Sequence, residues 1–80
     1  MQKVIFRNKA GELEEFIIDK HLNKQNCFGI FHYRQFQPCR FHMQAFKSKS
    51  FQSRASASNY LLQWLNQRLD AGEITELIIT

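Results

Sequence analysis

Short apolar runs separated by polar breaks fill the first half of the chain, and one long segment of helical spacing fills much of the second. Lys3-Val4-Ile5-Phe6-Arg7 has the composition of a strand, and Asn8-Lys9-Ala10-Gly11 that of a four-residue hairpin loop with Gly11 available for a left-handed position. Glu12 to Ile18 then predicts a second strand, because Phe16-Ile17-Ile18 suits a pleated, half-buried surface. A helix over 12–24 is the competing reading: Leu13, Phe16 and Ile17 have helical spacing, acids lead, and Lys20, His21 and Lys24 trail as the helix dipole favours.

Asn23 to Asn26 is a polar connection. Cys27 to Phe36 and Cys39 to Lys47 read as two strand-type runs broken at Gln37-Pro38, which together predict a central hairpin. Lys47 to Ser53 is polar and irregular, a loop. A helix starts at Arg54 or Ala55, capped by Ser53 or Ser56, with Leu61, Leu62, Leu65 and Leu69 on one face. It ends near Asp70 or Ala71, where Gly72 suits the position just past the end. Glu73 to Thr80 predicts a last strand around Leu77, Ile78 and Ile79.

These elements give an α+β fold class: a small two-layer domain with a mainly antiparallel sheet of four to five strands and one long C-terminal helix on one face, in the order β-β-β-β-α-β. The helix reading of 12–24 would instead give the ferredoxin-like order β-α-β-β-α-β. With 80 residues, 44% hydrophobic and 14% aromatic, the chain has enough apolar surface for one core, so residues 1–80 are expected to form a single domain. No window approaches the roughly 20 apolar residues needed to cross a bilayer. Met1 to Phe6 runs straight into strand-like sequence without a secretory apolar region, so a cytoplasmic chain with no membrane partner is expected. There Cys27 and Cys39 would stay reduced.

Charge changes the picture more than composition does. The formal net charge is +4, but every acid lies at Glu12, Glu14, Glu15 and Asp19 or at Asp70, Glu73 and Glu76. From Lys20 to Leu69 there are eight Lys and Arg and no acid. A one-signed field of this kind attracts phosphate backbones, acidic protein surfaces or anionic lipid, and its sign alone does not choose among them, unless the acidic ends fold back to neutralise it.

The predicted central hairpin is where such a field would act. In a strand, Arg40, His42, Gln44 and Phe46 share one face while Cys39, Phe41, Met43 and Ala45 share the other, core-like face. A four-residue loop makes Phe31 and Tyr33 coplanar with Arg40, His42 and Gln44. A three-residue loop sets Arg34 opposite Arg40 and His32 opposite His42, and sends Phe31 and Tyr33 into the core. Either way the surface continues into Lys47, Lys49 and Arg54. The candidate binding residues are therefore Arg40, His42, Gln44, Lys47, Lys49, Arg54, Arg34, Tyr33 and Phe31.

Exposed aromatics on which bases stack, beside cations for the backbone, form the surface that single-stranded RNA or DNA requires. The expectation is a non-catalytic nucleic-acid-binding module, although no RNP-type signature, GxxG loop or zinc-knuckle spacing is present. The alternative is a protein-interaction module or small inhibitor docking on an acidic surface. Asn59, Gln63, Asn66 and Gln67 make an amide-rich helix face with Tyr60 and Trp64 beside it, although a lone Trp more often anchors a helix to its core. A free sheet edge would allow a homodimer. A metal-independent ribonuclease using His32, His42, Tyr33, Arg40 and Lys47 is the enzyme alternative, but no spacing forces these together. No cofactor or small-molecule substrate is expected. Cys27, His32, Cys39 and His42 are spaced C-x4-H-x6-C-x2-H. In regular strands, residues three or five apart point to opposite faces, so no metal site is expected from them.

Overall fold

The computed structural model describes residues 2–79. Two strands, β1 (Gln2–Asn8) and β2 (Leu13–Lys20), form the predicted hairpin with Val4 opposite Phe16 and Phe6 opposite Glu14. Its loop is closed from both sides: Asn8 donates its backbone N–H to the Glu12 carbonyl at 2.9 Å, and the Asn8 side-chain oxygen accepts from the Glu12 N–H at 3.0 Å. Gly11 takes φ +81°, a conformation that a Cβ disfavours. The strand reading of Glu12 to Ile18 therefore holds and the ferredoxin-like order does not arise.

The next strand, β3 (Phe28–Arg34), runs antiparallel to β2 with Phe16 opposite His32 and Ile18 opposite Ile30. It does not continue to Phe36. The chain reverses at Gln35 and Phe36, both with positive φ (53° and 67°), into the two-residue β4 (Gln37–Pro38). Arg34 pairs with Gln37 across this tight turn, so the reversal comes before Gln37-Pro38 rather than at it. Two consecutive left-handed residues are the requirement of a type I′ turn, which normally recruits Asn and Gly; Gln-Phe carries no such signature.

Residues 39–47 do not form the predicted strand. Arg40–Phe46 is a short helix, α1, so the central hairpin and both of its registers are replaced. Met, Gln, Ala, Arg and Lys favour helix, and 39–50 contains no Val, Ile or Thr to resist it. Seven residues are too few for apolar spacing to separate the two periods. What decides is that His42, Met43 and Phe46 turn toward β3 while Phe41, placed in the core by the strand reading, is 75% exposed.

The long helix α2 (Arg54–Asp70) starts as expected, with the Ser53 side chain accepting from the Ser56 N–H at 3.1 Å. It ends at Ala71, and Gly72 follows at φ +76°. The last strand, β5 (Ile74–Ile79), pairs antiparallel with β1, giving a five-stranded sheet of order β4-β3-β2-β1-β5. Both helices cover one face. Val4, Phe6, Phe16, Ile18 and Ile30 from the sheet meet Phe46 of α1 and Ala57, Leu61 and Leu65 of α2 there. Trp64 lies edge-on to Phe16 and Phe46, with centroids at 5.6 and 5.4 Å, and so anchors α2 to this core. The architecture is the expected α+β domain with one more helix. Among the described residues no helix is long and apolar enough to cross a membrane.

Candidate functional site

The helix at 40–46 separates the residues that a sheet surface would have gathered. Phe31 and Tyr33 alternate with the inward Ile30 and His32, so they lie on the uncovered face of the sheet, opposite Ile17 and Glu15 of β2. Arg40, Gln44 and Lys47 belong to the helix side instead. That surface is divided: α1 carries Arg40, Gln44 and Lys47 around the β3 edge, where Phe31 still borders them and Tyr33 does not.

What replaces it is a groove of about 280 Å³ between α1 and the loop after β2. Arg40, Gln44 and Lys47 stand on one wall and His21 and Asn23 on the other, above Leu22, Phe31, Met43 and Phe46. Its floor is the β3 edge. Phe28 exchanges both backbone hydrogen bonds with Phe51 (2.7 and 2.9 Å), and the His32 carbonyl accepts from the Cys39 N–H at 2.9 Å. By strand alternation the N–H and C=O of Ile30, between these two closures, also point outward into the groove.

Four glutamates are paired away from the groove. Glu12 binds Arg34, Glu15 binds Lys3 at 3.1 Å, Glu76 binds Arg7 at 3.2 Å and Glu73 binds Arg68 at 3.3 Å. Arg34 and Glu12 hydrogen-bond directly, which lowers the Glu12 pKa and raises that of Arg34, so Arg34 is committed to a surface pair. Among the described residues no carboxylate lies within ion-pair distance of Lys20, Lys24, Arg40, Lys47, Lys49 or Arg54.

These six differ in what they do. Arg54 is half-buried, stacks 4.8 Å over the Phe28 ring and donates to the Ile18 carbonyl at 3.1 Å, which makes it a clamp between α2 and the sheet. Lys49 sits 5.3 Å over Tyr60, and Lys24 reaches Ser50 Oγ at 3.4 Å, so both border the same end of the molecule. Arg40 and Lys47 are exposed on the groove wall.

His42, the remaining candidate, turns inward. It meets the His32 ring edge-on with centroids at 4.4 Å, and Trp64 at 5.4 Å. His32 is completely buried, stacked on Phe16 at 4.5 Å, and its neighbour Glu14 is only 9% exposed. Burial pushes the His32 pKa down to about 3, reinforced by the nearby His42 and Arg34 charges. Burial also lowers the His42 pKa, against the pull of Glu14. The ribonuclease candidates therefore do not converge: His32 is sealed in the core, and Tyr33 lies on the far face of the sheet from His42.

Cys39 and His42 do not point to opposite faces, because the segment between them is helix rather than strand. Cys39 caps α1, where a residue three positions on returns to the same side, and His32, Cys39 and His42 offer ligand atoms that all lie within 4.8 Å of one another. Cys27 is outside this cluster. Glu14 belongs beside it and had no sequence signal except its inward position two residues before Phe16. The sequence reading also lacked the groove residues His21, Leu22 and Asn23, which look like an ordinary polar connection until α1 comes to face them.

No family model, curated protein or solved structure matches this chain.

Proposed function

We propose that the protein binds single-stranded nucleic acid at the end where α1 faces the loop after β2. The observation that carries this reading is the uncompensated charge around an apolar slot. Arg40 and Lys47 flank a groove containing Leu22, Phe31 and Met43, with Lys20, Lys24 and Lys49 beyond it. A slot of about 280 Å³ takes an unstacked base against apolar side chains while cations follow the phosphates, and Gln44, Asn23 and the Ile30 backbone supply hydrogen bonds to a base edge. A duplex keeps its bases stacked and gains only the phosphate contacts.

The test is fluorescence anisotropy with labelled single-stranded RNA, single-stranded DNA and duplex DNA across a salt series. Three or four phosphate contacts predict a slope of roughly −2 to −3 in log affinity against log salt for single strands. Arg40→Glu with Lys47→Glu should abolish most of the binding and flatten the slope. No association at low salt, or binding unchanged in the double variant, overturns the reading.

One observation favours a second reading, a protein partner. The sheet face that no helix covers displays Ile5, Ile17, Phe31 and Tyr33, all half-buried, together with Leu13 and Ile78, which are 50% and 41% exposed. Lys3–Glu15 and Arg7–Glu76 pairs balance the charge there, so this face suits apolar docking rather than a phosphate backbone.

A further inference from the structure

The polar cluster beneath α1 plays no part in the groove. His32 projects from the middle of β3 into the core, Cys39 stands at the junction of β4 and α1, and His42 follows one helical turn later. Tertiary structure thus brings one thiol and two imidazoles from two elements to a single point, next to Phe16 and Trp64.

We propose that His32, Cys39 and His42 bind one zinc(II) ion, with Glu14 as the outer carboxylate that holds His32 in place. The first support is unsatisfied polarity. His32 Nδ1 and His42 Nδ1 are buried without hydrogen-bond partners, and His32 Nε2 has only the Glu14 carboxylate beside it. Leaving such groups without a partner forfeits their hydration with nothing in return, and nearly all buried polar atoms in folded proteins avoid that cost. A cation shared between the two rings satisfies one nitrogen on each.

The second support is donor chemistry. One thiolate with two neutral imidazoles is a borderline-soft set that suits zinc and lacks the oxygen ligands that calcium and magnesium require. Both rings turn into the apolar core against Phe16 and Trp64, a setting that favours the neutral imidazole, which is the form that coordinates. Cys39 supplies the anion: its thiol proton leaves to solvent as the sulfur binds the metal. The Cys39 side chain makes no capping hydrogen bond to α1, so coordination removes nothing from the helix.

Glu14 is the third support. Its Oε1 lies 2.8 Å from His32 Nε2 without hydrogen-bond alignment, and its Oε2 accepts from Asn8 Nδ2 at 2.7 Å. Metal-bound histidines typically have a carboxylate on the far ring nitrogen, and this arrangement leaves His32 Nδ1 for the ion. Ligand atoms around a tetrahedral zinc sit roughly 3.3–3.7 Å apart, so the cluster must close by about 1 Å. The half-buried Cys39 and His42 side chains can provide that movement. Three protein ligands leave a fourth position for water, and a cleft lined by Glu14, Phe41, His42, Trp64 and Arg68 opens on the His42 side of the cluster.

The full chain is loaded with zinc chloride, separated from free metal by gel filtration, and assayed for zinc by mass spectrometry. Cobalt(II) is substituted in parallel. One zinc per chain should be retained, and the cobalt form should show intense tetrahedral visible bands with a thiolate-to-metal band in the near ultraviolet. Cys39→Ser and His42→Ala should lose the zinc, Cys27→Ser should keep it, and Glu14→Gln should weaken affinity by about 10–100-fold. Metal-free wild type, retention unaffected by Cys39→Ser, or loss in Cys27→Ser overturns the proposal. If the variants fail to fold by circular dichroism, the wild-type cobalt spectrum decides: weak octahedral bands without thiolate charge transfer overturn it equally.

Discussion

Replacing Phe36 by glycine should make the protein more stable. Phe36 has φ +67° and is 96% exposed, so its side chain contributes almost no packing while its Cβ opposes the backbone conformation. A left-handed residue with a side chain costs roughly 1–2 kcal/mol, which Phe36→Gly removes. Glycine also makes the unfolded chain more flexible, and that offsets about 0.4–1 kcal/mol. The net gain is about 0.5–1 kcal/mol. For 80 residues the unfolding entropy is roughly 170 cal/mol/K, so Tm should rise by about 3–6 °C in a circular dichroism melt. Phe36→Ala serves as control, since it deletes the ring but keeps the backbone penalty, and it should stay near wild type. A fall in Tm for Phe36→Gly would refute the tight turn at 35–36. The reversal would then lie further along the chain, where an extended 39–47 segment could follow it.

Two further outcomes test the core. Leu61→Ala should destabilise by about 2–5 kcal/mol in urea unfolding, because Leu61 is fully buried against the sheet, whereas half-buried Leu62→Ala should cost clearly less; equal losses would misplace the inward face of α2. In metal-free protein kept in chelator, stability should be greatest above pH 6.5 and fall on acidification toward about 3, because the unfolded chain protonates His32 before the folded one does. The decline is at most about 1.4 kcal/mol per pH unit for this one group, so about 1–2 kcal/mol should be lost by pH 5; a flat profile between pH 7.5 and 5 would show that His32 is not held neutral.

Elements whose local signals agree across several residues are legible in the chain alone. The first hairpin has a strand, an Asn-to-Gly loop and a second strand with Phe16-Ile17-Ile18; its loop chemistry is local, while the helix that also fits 12–24 is excluded by pairing with β1 and β3 on either side. The long helix has a serine cap, a leucine face and a glycine beyond its end, each meaning the same thing in any tertiary context. The uneven charge was equally plain, since counting residues needs no coordinates. Tertiary structure decided residues 35–47. Arg40-Phe41-His42-Met43-Gln44-Ala45-Phe46 is short enough to read as strand or helix, and the turn before it uses Gln35 and Phe36 where glycine or asparagine would have announced it. Packing chose: as a helix the segment buries Phe46 beside Trp64 and Phe16, a contact that depends on where α2 and β2 lie. That choice relocated Arg40, Gln44 and Lys47 from a sheet surface to a groove wall. It also brought Cys39 and His42, three apart and opposed in a strand, together over His32. Spacing along a chain becomes proximity only once the period of the backbone is known, and in so short a segment the period was set by neighbours distant in sequence.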